Sequence, residues 1–171
     1  MYVICHDPYG QNQSADSSSL GAAYVIKRPN NISHPDDLIV ASYVGRPKTQ
    51  DDYNRNLFLL ADYYGCKIGF ENDRGEVIAF AKRYRKLHKL QEEFEMLDKR
   101  ELRSKTVKRQ YGMHMTEARK RQGEIYIRDW LNTVRRTDEN GKKLLNLHKI
   151  YDPALLTELI KFNHHGNFDR V

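Results

Sequence analysis

The sequence predicts an α/β fold: a mixed central sheet, antiparallel over its first three strands and parallel beyond them, flanked by helices. Three observations predict it. Three apolar runs near the start are separated by polar, turn-rich links, the pattern of an antiparallel meander. Two later segments with helical periodicity bracket another short apolar run, and a strand reached through a helix joins its sheet by a crossover, parallel to a neighbour. The length of 171 residues suits a single domain, 1–171, with one sizeable core.

The first run, Tyr2 to His6, stops at Asp7-Pro8-Tyr9-Gly10, a turn sequence. Gln11 to Ser19 is polar and small, and Leu20 to Ile26 and Leu38 to Val44 read as the second and third strands. Pro29-Asn30-Asn31 and Pro35-Asp36-Asp37 mark the loop between those two strands. Thr49 or Asp51 can cap a helix with Tyr53, Leu57, Leu60 and Tyr64 on its apolar face, ended by Gly65. Lys67 to Glu71 is a short strand, and Asn72-Asp73 can cap a helix that presents Val77, Phe80, Tyr84 and Leu87. Phe94 to Leu97 reads as a short strand, and the basic stretch from there to Gly112 as a loop. Thr116 to Arg136 has helical composition with Ile125, Trp130, Leu131 and Val134 as core contacts, although Gly123 weakens the helix by roughly 1 kcal/mol relative to Ala. Asp138 to Gly141 is a turn. Asp152-Pro153 opens a helix packed by Leu155, Leu156, Leu159 and Ile160, because an N-cap followed by Pro at the first helical position leaves no lost hydrogen bond. Asn163 to Gly166 breaks that helix, and Asn167 is placed to cap a last one.

Charge narrows the class of partner. The chain carries a formal net charge of +6, and its distribution is uneven. Lys82, Arg83, Arg85, Lys86, Lys89, Lys99, Arg100, Arg103, Lys105, Lys108, Arg109, Arg119, Lys120 and Arg121 crowd one stretch of the chain. The remainder is close to neutral or slightly acidic, so this stretch is where a surface that tracks phosphates is expected. The plainer reading of such a run is a solvated helix face. No apolar run approaches the length of a membrane span, and Met1 to Cys5 lacks the basic flank of a secretory signal. Cys5 and Cys66 are two isolated thiols without metal-like spacing, which suits a reducing compartment and no disulfide framework.

Three acidic residues stand in comparable local settings. Asp7 ends the first strand, Glu71 ends the fourth, and Asp169 lies just inside the helix expected after Gly166-Asn167. Carboxylates at the ends of adjacent strands share one crevice, the usual site in open α/β sheets. Close carboxylates repel one another, and a hard divalent cation, which takes oxygen ligands and keeps several waters, relieves that repulsion. Each also has a plainer role: Asp7-Pro8 opens turns, Glu71 can pair with a nearby base, and Asp169 can favour a helix start.

These motifs in order resemble a known family. Asp7-Pro8-Tyr9-Gly10 followed by Ser19-Leu20-Gly21-Ala22-Ala23-Tyr24-Val25 is similar to the opening of the nuclease domain of tailed-bacteriophage terminase large subunits. Phe70-Glu71-Asn72-Asp73-Arg74-Gly75 resembles that family's second acidic motif, and Gly166-Asn167-Phe168-Asp169-Arg170-Val171 its third. Tyr111-Gly112-Met113-His114-Met115-Thr116, with Arg119-Lys120 after it, resembles the stretch before the family's long helix.

The resemblance implies an RNase H-like fold and a divalent-metal-dependent DNA endonuclease, a hydrolase that cuts concatemeric double-stranded viral DNA with little sequence preference. Asp7, Glu71 and Asp169 match the catalytic, metal-binding acids, which implies two ions, Mg²⁺ or Mn²⁺. Asp16, Asp73 and His165 are auxiliary candidates; His164 and His165 precede the third acid. Lys82, Arg85, Lys105, Lys108, Arg109, Arg119 and Lys120 are the expected DNA-binding residues. The implied partners are double-stranded DNA, the terminase small subunit and the portal protein, with no membrane, in the cytoplasm of the infected bacterial host. The sequence holds no Gly-rich phosphate loop ending in Lys-Ser/Thr, so the family's ATPase motor is not expected in it. Only two residues follow Asp169, so the last helix is expected to be cut short. Two other readings stay open: an RNase H-like recombinase or resolvase nuclease, and a non-catalytic DNA-binding or assembly module of a packaging motor.

Overall fold

A computed structural model describes residues 1–10, 19–29, 37–73, 76–93 and 111–162. The three early apolar runs form strands β1 (Tyr2–Asp7), β2 (Gly21–Lys27) and β3 (Leu38–Gly45). They pair antiparallel, Asp7 opposite Ala22 and Gly21 opposite Gly45, with one irregularity in β3 beside Val25 and Ile26. Helix α1 (Gln50–Tyr63) is capped by Thr49, whose hydroxyl oxygen accepts from the Asp52 amide at 3.1 Å. Gly65, at φ +60°, reverses the chain after it, a conformation that costs glycine little. The chain returns through β4 (Lys67–Phe70), which lies parallel to β1, so the sheet has the order β3-β2-β1-β4. The expected mixed sheet, antiparallel first and then parallel, is present.

The two faces of this sheet are covered differently. Ile4, Ala23 and Val25 face Tyr53, Leu57, Phe58 and Ala61 of α1, together with Val77 and Phe80 of α2 (Val77–Arg83). Ile4, Val25, Leu57 and Ile68 are completely buried, and each such side chain contributes roughly 1.5–3 kcal/mol of burial free energy. On the opposite face Ala22 and Tyr24 meet Ile150 and Leu155, with Trp130, Leu131, Leu156 and Leu159 packed around them. That second layer is built from α3 (Glu117–Asn132) and α4 (Pro153–Lys161), and the hairpin of β5 (Val134–Thr137) and β6 (Lys143–Leu145) follows α3, tied to its end through Asn146. Asp152 caps α4 as its sequence promised, its carboxylate accepting from the Ala154 and Leu155 amides.

Several local expectations need correction. Helix α2 starts after Glu76, not at Asn72-Asp73, because those two side chains are engaged with residues 111 and 114 instead. Its seven residues end before Tyr84, which is 45% exposed, and Leu87 falls in a following 3-10 turn. Helix α3 stops at Asn132 rather than Arg136, and Val134–Thr137 pairs with Lys143–Leu145 as a strand. Ile125, Val134 and Ile160, expected in the core, are exposed, Ile160 by 85%. The strand expected at Phe94 to Leu97, the break at Asn163 to Gly166 and the cap at Asn167 lie outside the described residues. Among the described residues no helix is long and apolar enough to cross a membrane.

Candidate active site

The parallel pairing of β1 with β4 decides where the first two acids lie. His6 stands opposite Phe70, so Asp7 and Glu71 occupy the next register position at the carboxyl ends of neighbouring strands. The Glu71 amide donates to the His6 carbonyl at 3.4 Å, which carries the pairing up to that point. Asp7 faces the same side as its partner Ala22, and Glu71, two residues beyond Gly69 (opposite Cys5), faces that side too. Both are half-buried. A carboxylate there keeps access to solvent while remaining fixed by the strand below it.

A seam of backbone and side-chain bonds supports Glu71 from the far side. The Gln91 amide donates to the Ile68 carbonyl at 2.8 Å and the Met113 amide to the Phe70 carbonyl at 2.8 Å. Glu71 pairs in parallel with Met113, and Glu92 pairs antiparallel with Tyr111. The Asn72 side chain donates to the Tyr111 carbonyl at 2.7 Å, and its backbone amide donates to the Met113 carbonyl at 2.9 Å. Gly112 fits this seam because a Cβ there would stand 2.7 Å from the Asn72 Cβ and 2.8 Å from the Phe70 ring, at a φ of +72°. Next to it, His114 Nδ1 donates to both oxygens of Asp73, at 2.7 and 2.9 Å.

Arg119 locks α3 onto this seam. Its Nη1 donates to Glu93 at 2.9 Å and to the His114 carbonyl at 2.7 Å, and its side chain is only 2% exposed. Buried charges are retained when paired and hydrogen-bonded in this way. Arg119 was expected to face DNA; its guanidinium is instead committed inside the molecule. Sequence reasoning missed this role because an arginine after a helix cap looks the same whether it points in or out. Gly112 was the available signal, since a glycine beside Tyr111 at a sheet edge marks close backbone approach.

On the α1 side of β1, His6 is buried, stacks on Tyr53 with ring centroids 5.3 Å apart, and donates from Nδ1 to the Ala22 carbonyl at 2.9 Å. Burial pushes its pKa down from 6.5 to about 4, against the smaller upward pull of that hydrogen bond. The imidazole is therefore neutral at physiological pH. Burial also raises the Tyr53 hydroxyl pKa, and the neighbouring Tyr43 and Asp7 add to the rise. Asp7 is thus near enough to Tyr53 for its charge to be felt there.

The other expected site residues divide clearly. Lys82, Arg85 and Lys120 are exposed. Asp73 is engaged by His114, while Asp16, His165, Asp169, Lys105, Lys108 and Arg109 lie outside the described residues. Among the described residues no group of three or more His, Cys, Asp or Glu side chains is disposed to hold a metal ion. The structure therefore brings two of the three matched acids together, Asp7 and Glu71. Compared with protein-family models, with curated proteins and with solved structures, the chain gives no match.

Proposed function

We propose that this chain is a divalent-metal-dependent endonuclease acting on double-stranded DNA, of the terminase nuclease type that its motifs resemble. The observation that carries this reading is the placement of Asp7 and Glu71 side by side at the carboxyl ends of parallel strands. The strand order β3-β2-β1-β4, with β4 parallel to β1, supports an RNase H-like fold.

The donor set fits a hard cation, since two half-buried carboxylates offer oxygen ligands and leave room for water. Asp7 and Glu71 would hold Mg²⁺ or Mn²⁺, with Asp169 as the third ligand and Asp16, Asp73 and His165 as auxiliaries. When bound, such ions supply Lewis acidity and a water of lowered pKa, and a pair of them can flank a phosphodiester. The residues of the chain do the rest. Asp7 and Glu71, fixed on neighbouring strands, orient the attacking water toward phosphorus. The seam at Asn72, Gly112 and Met113 holds Glu71 in register. Lys82, Arg85 and Lys120, with Lys105, Lys108 and Arg109, grip phosphates without reading bases. In a packaging motor the partners would be the terminase small subunit and the portal protein, and the setting the cytoplasm of the infected bacterial host.

The test is cleavage of supercoiled plasmid with Mg²⁺ or Mn²⁺ added. Cutting is expected to require the metal and to fall at least ~100-fold in Glu71→Ala, on the scale of losing a principal catalytic electrostatic group. Cutting that persists in EDTA would refute the mechanism. DNA binding without cutting at millimolar Mn²⁺ would turn the reading to a non-catalytic binding module.

A further inference from the structure

The β5–β6 hairpin was not visible in the sequence and lies outside the basic stretch from Lys82 to Arg121. We propose that it is a second contact surface for the phosphate backbone of duplex DNA. This rests on the nuclease reading for its biological sense, although the binding itself can be measured without cleavage.

Part of the hairpin's charge is not spent within the molecule. The hairpin carries Arg135, Arg136, Lys142 and Lys143 against Asp138 and Glu139. Asp138 is used by the turn: its carboxylate accepts from the Asn140 amide at 2.9 Å and the Lys142 amide at 2.8 Å. Arg135 is used as an anchor, donating from Nε to the buried Asn146, whose side-chain amide in turn donates to the Trp130 carbonyl. Arg136, Lys142 and Lys143 are left exposed, with no ion pair among the described residues.

Placement makes this charge relevant to the candidate site. The hairpin follows α3 directly and is tied through Asn146 to the end of that helix, whose Trp130 and Leu131 pack on the side of the sheet that Asp7 and Glu71 face. Arg119 ties the first turn of α3 to the seam beside Glu71. The sixteen residues of α3 then span about 24 Å at 1.5 Å per residue. Along that length Arg121 and Arg128 are exposed seven residues apart, with Glu124 between them on the same stripe and Arg128 3.7 Å from Asp129. The hairpin therefore lies about one helix length from the seam, a reach of about seven base pairs at 3.4 Å each. Two-stranded ribbons of this width also fit against duplex DNA.

The test is fluorescence anisotropy with a labelled, mixed-sequence duplex of about 30 base pairs, in EDTA so that nothing is cut, over a KCl series. Arg136→Ala/Lys142→Ala/Lys143→Ala is compared with the unsubstituted chain. The expected result is at least ~10-fold weaker binding at moderate salt and a salt slope shallower by about 2–3, since each neutralised phosphate contributes about 0.9. Far-ultraviolet circular dichroism and melting checked in parallel should be unchanged, and Arg136→Lys/Lys142→Arg/Lys143→Arg should restore the slope. An unchanged slope in the folded triple alanine variant would overturn the proposal. So would stronger binding to vesicles rich in phosphatidylserine than to the duplex, which would identify a membrane surface instead. Loss of metal-dependent plasmid cleavage with the hairpin effect intact would remove the nuclease reading and leave this one standing.

Discussion

The two faces of the sheet handle charge in opposite ways. Beside α1 and α2, Arg83, Lys86 and Lys89 are matched by acids of α1, while Lys82 and Arg85 stay exposed. Arg83 meets Asp51 at 2.5 Å, and Lys86 and Lys89 meet Asp62 at 2.6 and 2.8 Å. On the other face the hairpin leaves Arg136, Lys142 and Lys143 exposed without such partners among the described residues, and two strand-end carboxylates stand together. The α1 face also holds the larger apolar core. Ion pairing thus tightens the α1 side, while Arg136, Lys142 and Lys143 of the hairpin stay exposed to solvent.

Arg119 sharpens the contrast, since it belongs to the second layer but is paired and buried. Arg119→Ala would remove the guanidinium from Glu93 and from the His114 carbonyl. A loss of about 3–5 kcal/mol in urea unfolding is expected, the usual result of breaking a buried pair. Arg119→Ala/Glu93→Ala should recover part of it. A loss below ~1 kcal/mol would mean that the pair is no joint.

The next effect lies on the α1 face. The folded pKa of His6, about 4, lies below its ordinary 6.5, so the unfolded chain takes up the proton first. The stability due to a neutral His6 is whole above pH 6.5 and is lost progressively as pH falls toward 4. The loss amounts to about 3 kcal/mol from that shift. Melting curves across this range should be flatter for His6→Asn, and an identical slope would show that another group controls the acid response.

The smallest effect concerns the paired surface charges. Hydrogen bonds from Lys86 and then Lys89 hold the Asp62 carboxyl below its ordinary 3.8. Its contribution is therefore present above that pH and disappears as pH falls through the folded value. Asp62 is 42% exposed, so screening limits Asp62→Asn to below ~1 kcal/mol. The same substitution should leave DNA affinity unchanged or slightly raised, because it releases two lysines. A marked fall in affinity would contradict the division between the faces.

How much of this was legible follows from what each element shows to a reader of sequence. Strands β1 to β4 announce themselves as short apolar runs, and α1 and α4 through Thr49 and Asp152-Pro153. The placement of Asp7 and Glu71 at strand ends followed from that. The hairpin was hidden because Val134-Arg135-Arg136-Thr137 continues the polar composition of α3, and its pairing with Lys143–Leu145 depends on tertiary support from Asn146. The seam at Gln91 and Met113 was equally hidden, since Leu90 to Glu92 and Tyr111 to Met113 are too short to read as strands. Arg119 shows the same limit for single side chains: charge is legible, but burial is decided by what packs beside it. Asp169 was assigned on its motif and lies outside the described residues.

The most direct test of the central claim is calorimetric titration of Mn²⁺ into the chain and into Asp7→Asn and Glu71→Gln, with folding checked by circular dichroism. Saturable binding to the unsubstituted chain is expected, weakened at least ~10-fold in each variant, as loss of one of a few oxygen ligands requires. Equal binding by all three proteins, or none by the unsubstituted chain at millimolar Mn²⁺, would contradict it.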